Sequence, residues 1–281
     1  MKMRAMCLLV ASVFVYLALP AHTSAAQTLY GVTGAGNAPS SLYTVDPVTG
    51  STVLIGATGF SHVTGIDFDP TSGTLYGVVS DLFYSGTTLL LTIDQRTGAG
   101  TVIGSTANQI PDITIGPDGV IRGWTEGGTG DDDPITIDKL TGTVTVTASP
   151  LGTSHTGVAT QDAGHLYVKP SRNLYSVDVV SGAFVFLWTF PDSMDNILEN
   201  EVGGTLISGE RDKTGTQLYR LDPTTGSQTS LGHSDQQLSA LAFSTATPIG
   251  APVLSPFMLV ILVFGVVLTG VFTLRRRQLP G

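Results

Sequence analysis

The chain has 281 residues, enough for one large domain, and a formal net charge of −9 at pH 7. Its 34 glycines, 15 prolines and 42% hydrophobic residues are typical of many short strands joined by turns, and a charged fraction of only 12% argues against disorder. All 22 acidic residues lie within 27–250. Five of the 13 basic residues lie outside this segment, which leaves 13 − 5 = 8 within it and a net charge of 8 − 22 = −14. Since nucleic-acid binding needs a basic surface, we expect no nucleic-acid partner.

Residues 1–26 have the pattern of a secretory signal peptide. Lys2 and Arg4 form a basic start, the apolar run 7–19 follows, and small residues precede Gln27. The run is too short to span a bilayer comfortably. Cys7, the only cysteine, lies within this segment, so we expect the exported protein to contain no disulfide.

One pattern recurs five times and predicts the architecture. An alternating apolar strand leads into an Asp, and a Gly follows four residues later, in LYTVDPVTG, LLTIDQRTG, PITIDKLTG, LYSVDVVSG and LYRLDPTTG. The Asp positions are 46, 94, 138, 178 and 222, a spacing of 40–48 residues that is typical of propellers. Such an Asp accepts a hydrogen bond from the amide two residues on and starts a turn, and the Gly tolerates a positive φ. Repetition at the same turn predicts a structural role for these carboxylates.

Two further strands precede each pattern, which gives every repeat the four strands of a propeller blade. The clearest copy, 63–106, reads GIDF, LYGV, LLTID and TVIGS. The first LYGV strand, 28–33, lacks the strand before it, but 237–244 supplies one at the far end. We therefore predict an all-β, five-bladed β-propeller over 27–245, closed by a split blade. A six-bladed ring is the alternative, although the sequence holds no sixth copy of the turn.

A second apolar run, 257–274, carries no charge and is followed by Arg275, Arg276 and Arg277. At 1.5 Å per residue it spans about 27 Å, close to the hydrocarbon thickness of a bilayer. It therefore predicts one C-terminal transmembrane helix with a basic cytoplasmic tail, 275–281. Residues 246–256 then form a Pro-containing linker, and the propeller lies outside the cytoplasm.

Two parts of the chain resemble known bacterial families. The blade order, GIDFDP, TLYGV and then a strand ending in D-x-x-T-G, resembles secreted propellers of the YVTN and NHL-like type, which include binding and surface proteins and some lyases. The C-terminal arrangement resembles sorting signals of the PEP-CTERM and IPTL-CTERM kind, although the literal IPTL tetrad and the usual aromatic are absent. The stretch that carries this second resemblance is Pro252, Val253, Leu254, Ser255 and Pro256.

The resemblance to sorting signals implies a partner, an exosortase-type protease of the membrane. Cleavage by such a protease would release the protein to the cell surface or the medium. A permanent single-pass membrane anchor is the alternative.

In such a ring, the connections from the fourth to the first strand and from the second to the third lie on one face. We call it the loop-bearing face, and the opposite one the turn face. Propeller ligands commonly bind at a loop-bearing face, which is a fold-level analogy. The candidates there are three histidines on loops leading into inner strands and two aromatic residues on one loop: His62, His155, His233, Phe83 and Tyr84. Converging imidazoles would suit Zn²⁺, but no HxH or HxxE spacing supports this, and solvated histidines are the alternative.

The densest carboxylate cluster is Asp131, Asp132 and Asp133, in a Gly-rich loop. Carboxylate oxygens suit Ca²⁺, but the run lacks the alternating spacing of an EF-hand loop, so an acidic solubilising loop is the alternative. Apart from this Ca²⁺ we expect no cofactor. Asp67 and Asp69 echo a calcium loop weakly and are better explained by a strand and its turn.

The chemistry-bearing motifs of common enzymes are absent from the sequence: it contains no GxSxG, HExxH, Walker loop or dinucleotide fingerprint. We expect a non-enzymatic, exported binding module for an extracellular polysaccharide or protein. One alternative is a secreted lyase or hydrolase that uses residues of the loop-bearing face, since paired carboxylates can come from distant blades. Another is a structural surface protein without a small ligand.

Overall fold

The computed structural model describes residues 27–34, 39–80, 87–125, 133–148, 156–191, 197–201 and 203–244. The predicted signal peptide, linker, apolar helix and basic tail lie outside the described residues. Within those, no helix is long and apolar enough to cross a membrane.

Twenty strands are described, in five antiparallel sheets of four strands. The strands are β1 (Leu29–Thr33), β2 (Pro39–Val45), β3 (Thr52–Ser61), β4 (Val63–Phe68), β5 (Leu75–Ser80), β6 (Thr88–Ile93), β7 (Gly100–Thr106), β8 (Ile113–Ile115), β9 (Ile121–Trp124), β10 (Pro134–Ile137), β11 (Val144–Val146), β12 (Thr156–Thr160), β13 (His165–Pro170), β14 (Asn173–Asp178), β15 (Phe184–Thr189), β16 (Ile197–Asn200), β17 (Leu206–Arg211), β18 (Thr216–Leu221), β19 (Gln228–Ser234) and β20 (Leu238–Phe243). Blade 1 has the order β20-β1-β2-β3, and blades 2 to 5 take the remaining strands four at a time in chain order. The predicted all-β, five-bladed propeller is confirmed.

The ring closes through the predicted split blade. Strand β20 pairs antiparallel with β1, with Leu29 opposite Phe243. At the end of this pairing the Ser244 amide donates to the Thr28 carbonyl at 2.9 Å, and the Thr28 amide donates to Ser244 Oγ at 3.0 Å. The two ends of the propeller domain are thereby joined in one sheet.

The hydrophobic core is divided into five clusters, one at each seam between neighbouring blades. At seam 1/2, for example, Val32 and Leu42 of blade 1 pack with Ile66 and Leu75 of blade 2. The other four clusters lie at seams 2/3, 3/4, 4/5 and 5/1. Because successive side chains of a strand point to opposite faces, each blade contributes apolar residues to both of its seams. Packing against both neighbours therefore stabilises each blade.

The five repeated aspartates form the predicted turns between third and fourth strands. In each turn the amide two residues on donates to the Asp Oδ1, at distances from 2.7 to 3.0 Å. The glycine four residues after each Asp has a φ between 70° and 79°. The structural role predicted for these carboxylates is confirmed.

A second set of glycines joins neighbouring blades. Six residues after the turn glycine, the outer strand of three blades carries Gly56, Gly104 or Gly232. A Cβ on Gly104 would lie 1.9 Å from the carbonyl oxygen of Thr141, which belongs to the turn of blade 3. A Cβ on Gly56 would meet the corresponding turn of blade 2 at 2.1 Å. These turns therefore pack directly on the backbone of the preceding blade.

We expect Gly104→Ala to lower the free energy of unfolding by about 1–3 kcal/mol, because its methyl group would overlap the turn of blade 3. Gly164→Ala is the matched control, since a Cβ there makes only an ordinary contact at 3.5 Å, and we expect a change within about 0.5 kcal/mol. Urea unfolding of both variants measures the difference. Equal stability of the two would contradict this packing.

Candidate functional site

Three buried carboxylates lie on the inner strands of the ring. Asp67 is on β4, Asp112 stands directly before β8, and Glu199 is on β16. The inner strand of each blade is a sheet edge, with backbone groups that no further strand pairs. Carboxylates at this edge can accept hydrogen bonds from those groups.

Each of the three carboxylates reaches the inner strand of the next blade. Asp67 Oδ2 accepts hydrogen bonds from the Ile115 amide and, at 3.1 Å, from Thr114 Oγ1. Asp112 Oδ2 accepts from the amide of Val158 at 3.0 Å. Glu199 Oε1 accepts from the amide of Phe243 at 3.4 Å. The carboxylates therefore connect blades 2 to 3, 3 to 4 and 5 to 1.

Burial changes the protonation of this cluster. Burial raises the pKa of Asp67 to about 7, although hydrogen bonds from Ile115, Phe68 and Thr114 act in the opposite direction and lower it. Burial also raises the pKa of Asp112 and of Glu199 well above their ordinary values, and the negative charge of Asp67 adds to the shift in both. Since like charges repel in a poorly solvated space, the cluster favours bound protons.

Raised carboxyl pKa values are found at catalytic sites, but here the geometry indicates a structural role. Every one of the three side chains is bonded to backbone of a neighbouring blade. Among the described residues, no group of three or more His, Cys, Asp or Glu side chains has a geometry that could hold a metal ion. We therefore interpret the cluster as a set of ties that close the ring.

Hydroxyl groups anchor the inner strands at the loop-bearing end. The amide of Val63, at the start of β4, donates to Ser40 Oγ at 3.1 Å. The amide of Leu238, at the start of β20, donates to Thr216 Oγ1 at 2.9 Å. Both hydroxyls are buried in the preceding blade and fix the entry into the next inner strand.

Two of the three predicted histidines, His62 and His233, lie in the described part of the chain. His62 is the single residue between β3 and β4 and has a φ of 58°. His233 lies within outer strand β19, so its predicted position on a loop was wrong; its Nε2 is 3.6 Å from Asp212 Oδ2. The other predicted face residues, His155, Phe83 and Tyr84, lie outside the described residues.

The predicted calcium loop is described only at its last member. The amide of Asp133 donates to Thr125 Oγ1 at 3.0 Å, and its carbonyl accepts from the Thr125 amide at 2.9 Å. Its backbone thus closes the connection between β9 and β10. Asp131 and Asp132 lie outside the described residues, so the calcium prediction stays a prediction.

The two faces differ in their connections. On the turn face the connections have four to six residues, from 161–164 to 222–227. On the loop-bearing face they range from the single residue His62 to the nine residues 147–155. A rigid ring thus carries uniform turns on one face and variable loops on the other.

Comparisons with solved structures show similarity of fold at low sequence identity. The chain is similar to one in a nidogen/laminin complex, with a TM-score of 0.53 and 12% identity over 79% of this chain and 99% of the other. It is also similar to a protein from work on the de novo evolutionary emergence of a symmetrical protein, with a TM-score of 0.52 and 17% identity over 77% and 98%. TolB from Acinetobacter baumannii has a TM-score of 0.48 and 15% identity, over 77% of this chain and 54% of TolB. No protein-family model and no curated protein matches the sequence.

We expect Asp67→Asn to flatten the pH dependence of stability between about pH 4 and 7. A carboxyl whose pKa is raised in the folded state contributes stability that is complete below its unfolded pKa, near 4, and is lost as the pH rises through about 7. The slope lost with this one group is up to about 1.4 kcal/mol per pH unit. Urea unfolding at several pH values measures it.

Asp46→Asn is the control for this prediction. Hydrogen bonds from the backbone amides of Thr49 and Val48 lower the pKa of Asp46. Its contribution to stability is therefore lost only as the pH falls below the ordinary pKa of an aspartate, about 4. The slope above pH 5 should therefore be that of the wild type. An unchanged slope in Asp67→Asn would contradict the assigned protonation.

Proposed function

We propose that the chain is an exported interaction propeller that binds an extracellular polysaccharide or protein through its loop-bearing face. The observation that carries this proposal is the contrast between the faces, with uniform turns on one and connections of one to nine residues on the other. Variable loops on a rigid scaffold are where proteins place binding residues. The buried hydroxyls of Ser40 and Thr216 hold the starts of β4 and β20, where two connections of this face end.

Aromatic residues on this face supply the contact surface. Phe83 and Tyr84 stand in the connection between β5 and β6, and aromatic rings bury large areas against sugars or apolar side chains. The net charge of −14 over 27–250 favours a neutral or cationic partner over an anionic one. A propeller of similar fold occurs in a nidogen/laminin complex, which is a fold-level analogy for a role in protein assembly.

The ends of the chain complete this proposal. The segment 1–26 directs export, and 257–274 with Arg275, Arg276 and Arg277 acts as a sorting signal of the PEP-CTERM or IPTL-CTERM kind. A membrane protease removes the signal and releases a YVTN- or NHL-like propeller to the cell surface. Display outside the cell places the loop-bearing face in contact with matrix polymers.

The test follows three forms of the full chain in the native host: wild type, Phe83→Ala/Tyr84→Ala, and Val48→Ala/Leu140→Ala. The third form is the matched control, because Val48 and Leu140 are exposed apolar residues on the turn face. We expect wild type and control in the matrix fraction and at least a fivefold shift of the loop-face variant to the medium. Mass spectrometry of the released protein should find a C-terminus before residue 257.

Three results would count against the proposal. Equal matrix retention of all three forms would exclude these aromatic residues from the binding surface. An intact C-terminus in the membrane fraction alone would show a permanent anchor instead of sorting. Turnover of carbohydrate substrates by the purified full chain would favour the lyase or hydrolase alternative.

A further inference from the structure

Seam 3/4 differs from the other seams. Its apolar cluster takes only Trp124 from blade 3, against Val158, Leu166, Val168 and Val177 from blade 4. A groove of about 230 Å³ lies between the same blades. Arg122 of blade 3 and Val179 and Val180 of blade 4 are among its lining residues.

The repeat explains why this seam is open. Three blades carry a glycine six residues after the turn glycine, and there the turn of the next blade packs on bare backbone. In blade 3 the residue at this position is Ala148. A methyl group at this position would overlap a turn that packed as the turns of blades 1, 2 and 3 do. Thr147, next to Ala148, and Val179, in that turn, both line the groove.

The chain itself shows what fits when the glycine is missing. In blade 4 the corresponding residue is Trp188, which is 37% exposed and whose indole packs on the turn of blade 5. Its ring atoms lie within 2.4 Å of the place where a Cβ on Gly226 would stand, and its Nε1 donates to the carbonyl of Pro223 at 2.7 Å. Pro223 is the equivalent of Val179, since each follows the repeated Asp. The space that an indole occupies at seam 4/5 therefore corresponds to the groove at seam 3/4.

The positive charge of Arg122 at the groove favours an aromatic ring as its occupant. The guanidinium of Arg122 pairs with Asp118 at 2.7 Å and donates to the Ala163 carbonyl at 3.1 Å, which fixes its plane. Its Nε is buried and has no hydrogen-bond partner in the described part of the chain. A guanidinium attracts the electron-rich face of an aromatic ring, and a cavity of about 150 Å³ already holds benzene.

We propose that the groove at seam 3/4 binds an aromatic side chain of a partner polypeptide. The ring lies against Val179 and Arg122 as the indole of Trp188 lies against the turn of blade 5. Among the described residues, strand β11 is the outer strand of its sheet and leads into Thr147 at the groove, so an extended segment of the partner can add to this edge while its side chain enters the groove. Binding here depends on Val179 and Arg122 and not on Phe83 or Tyr84, so it is tested independently of the proposed function.

The test uses the detergent-solubilised full chain and a capped pentapeptide with one central tryptophan, measured by titration calorimetry. We expect Ala148→Trp to fill the groove with the chain's own ring and to weaken peptide binding at least tenfold. Val102→Trp, on the exposed outer strand of blade 2, is the matched control and should bind as the wild type does. The same peptide with leucine in place of tryptophan should bind at least fivefold more weakly.

A second variant covers the case in which Ala148→Trp does not fold. Val180 is 79% exposed at the rim, so Val180→Glu leaves the packing intact and puts a charge at the mouth of the groove. It should also weaken binding at least fivefold. No binding by the wild type, or equal affinity in a folded Ala148→Trp or Val180→Glu variant, would overturn the proposal. Either result would leave the matrix-retention experiment on Phe83 and Tyr84 unaffected.

Discussion

The inner strand of every blade ends its sheet with a row of backbone groups that face the axis, and these must find partners within the ring. Asp67, Asp112 and Glu199 supply acceptors to the next blade, and Ser40 and Thr216 do so at the strand entries. An unpaired amide that is buried costs about 1–3 kcal/mol. The ring is therefore held by polar ties at its axis as well as by apolar seams.

These hydrogen bonds between blades explain why acidic residues occur in inner strands whose other residues are mostly apolar. A carboxylate accepts several amide hydrogen bonds at once, which a neutral side chain of this size does less well. Burial opposes the charge and raises the pKa of all three groups. The axis is thus more stable at mildly acidic than at neutral pH, whereas the exposed turn aspartates with lowered pKa values, such as Asp46 and Asp94, lose their contribution only in more strongly acidic solution.

Much of the fold could be predicted from the sequence, because it depends on local and repeated signals. The turn from Asp46 to Gly50 forms as the residue types require, and the missing inner strand of blade 1 pointed to 237–244. The ties of Asp67, Asp112 and Glu199 were not predicted, because they depend on which strands become neighbours in space. An acid within GIDF, DITI and ILEN was the available signal.

The groove at seam 3/4 also depends on which strands become neighbours in space. The series Gly56, Gly104, Ala148, Trp188 and Gly232 can be read from the alignment of the repeats. Its meaning appears only when the outer strand of one blade is seen against the turn of the next. The position of His233 within an outer strand was missed for a related reason, since the end of a strand is poorly marked in sequence.

Ring closure by pairing of β20 with β1 is the central claim of this account, and a disulfide tests it most directly. Thr28 and Ser244 are joined by two hydrogen bonds, and antiparallel neighbours lie at the Cα separation that a disulfide requires. The chain has no cysteine outside the segment 1–26. We predict that Thr28→Cys/Ser244→Cys forms one intramolecular disulfide on mild oxidation and unfolds at a higher temperature than its reduced form. Failure to cross-link in the folded protein, or cross-linking only between molecules, would contradict the closed ring.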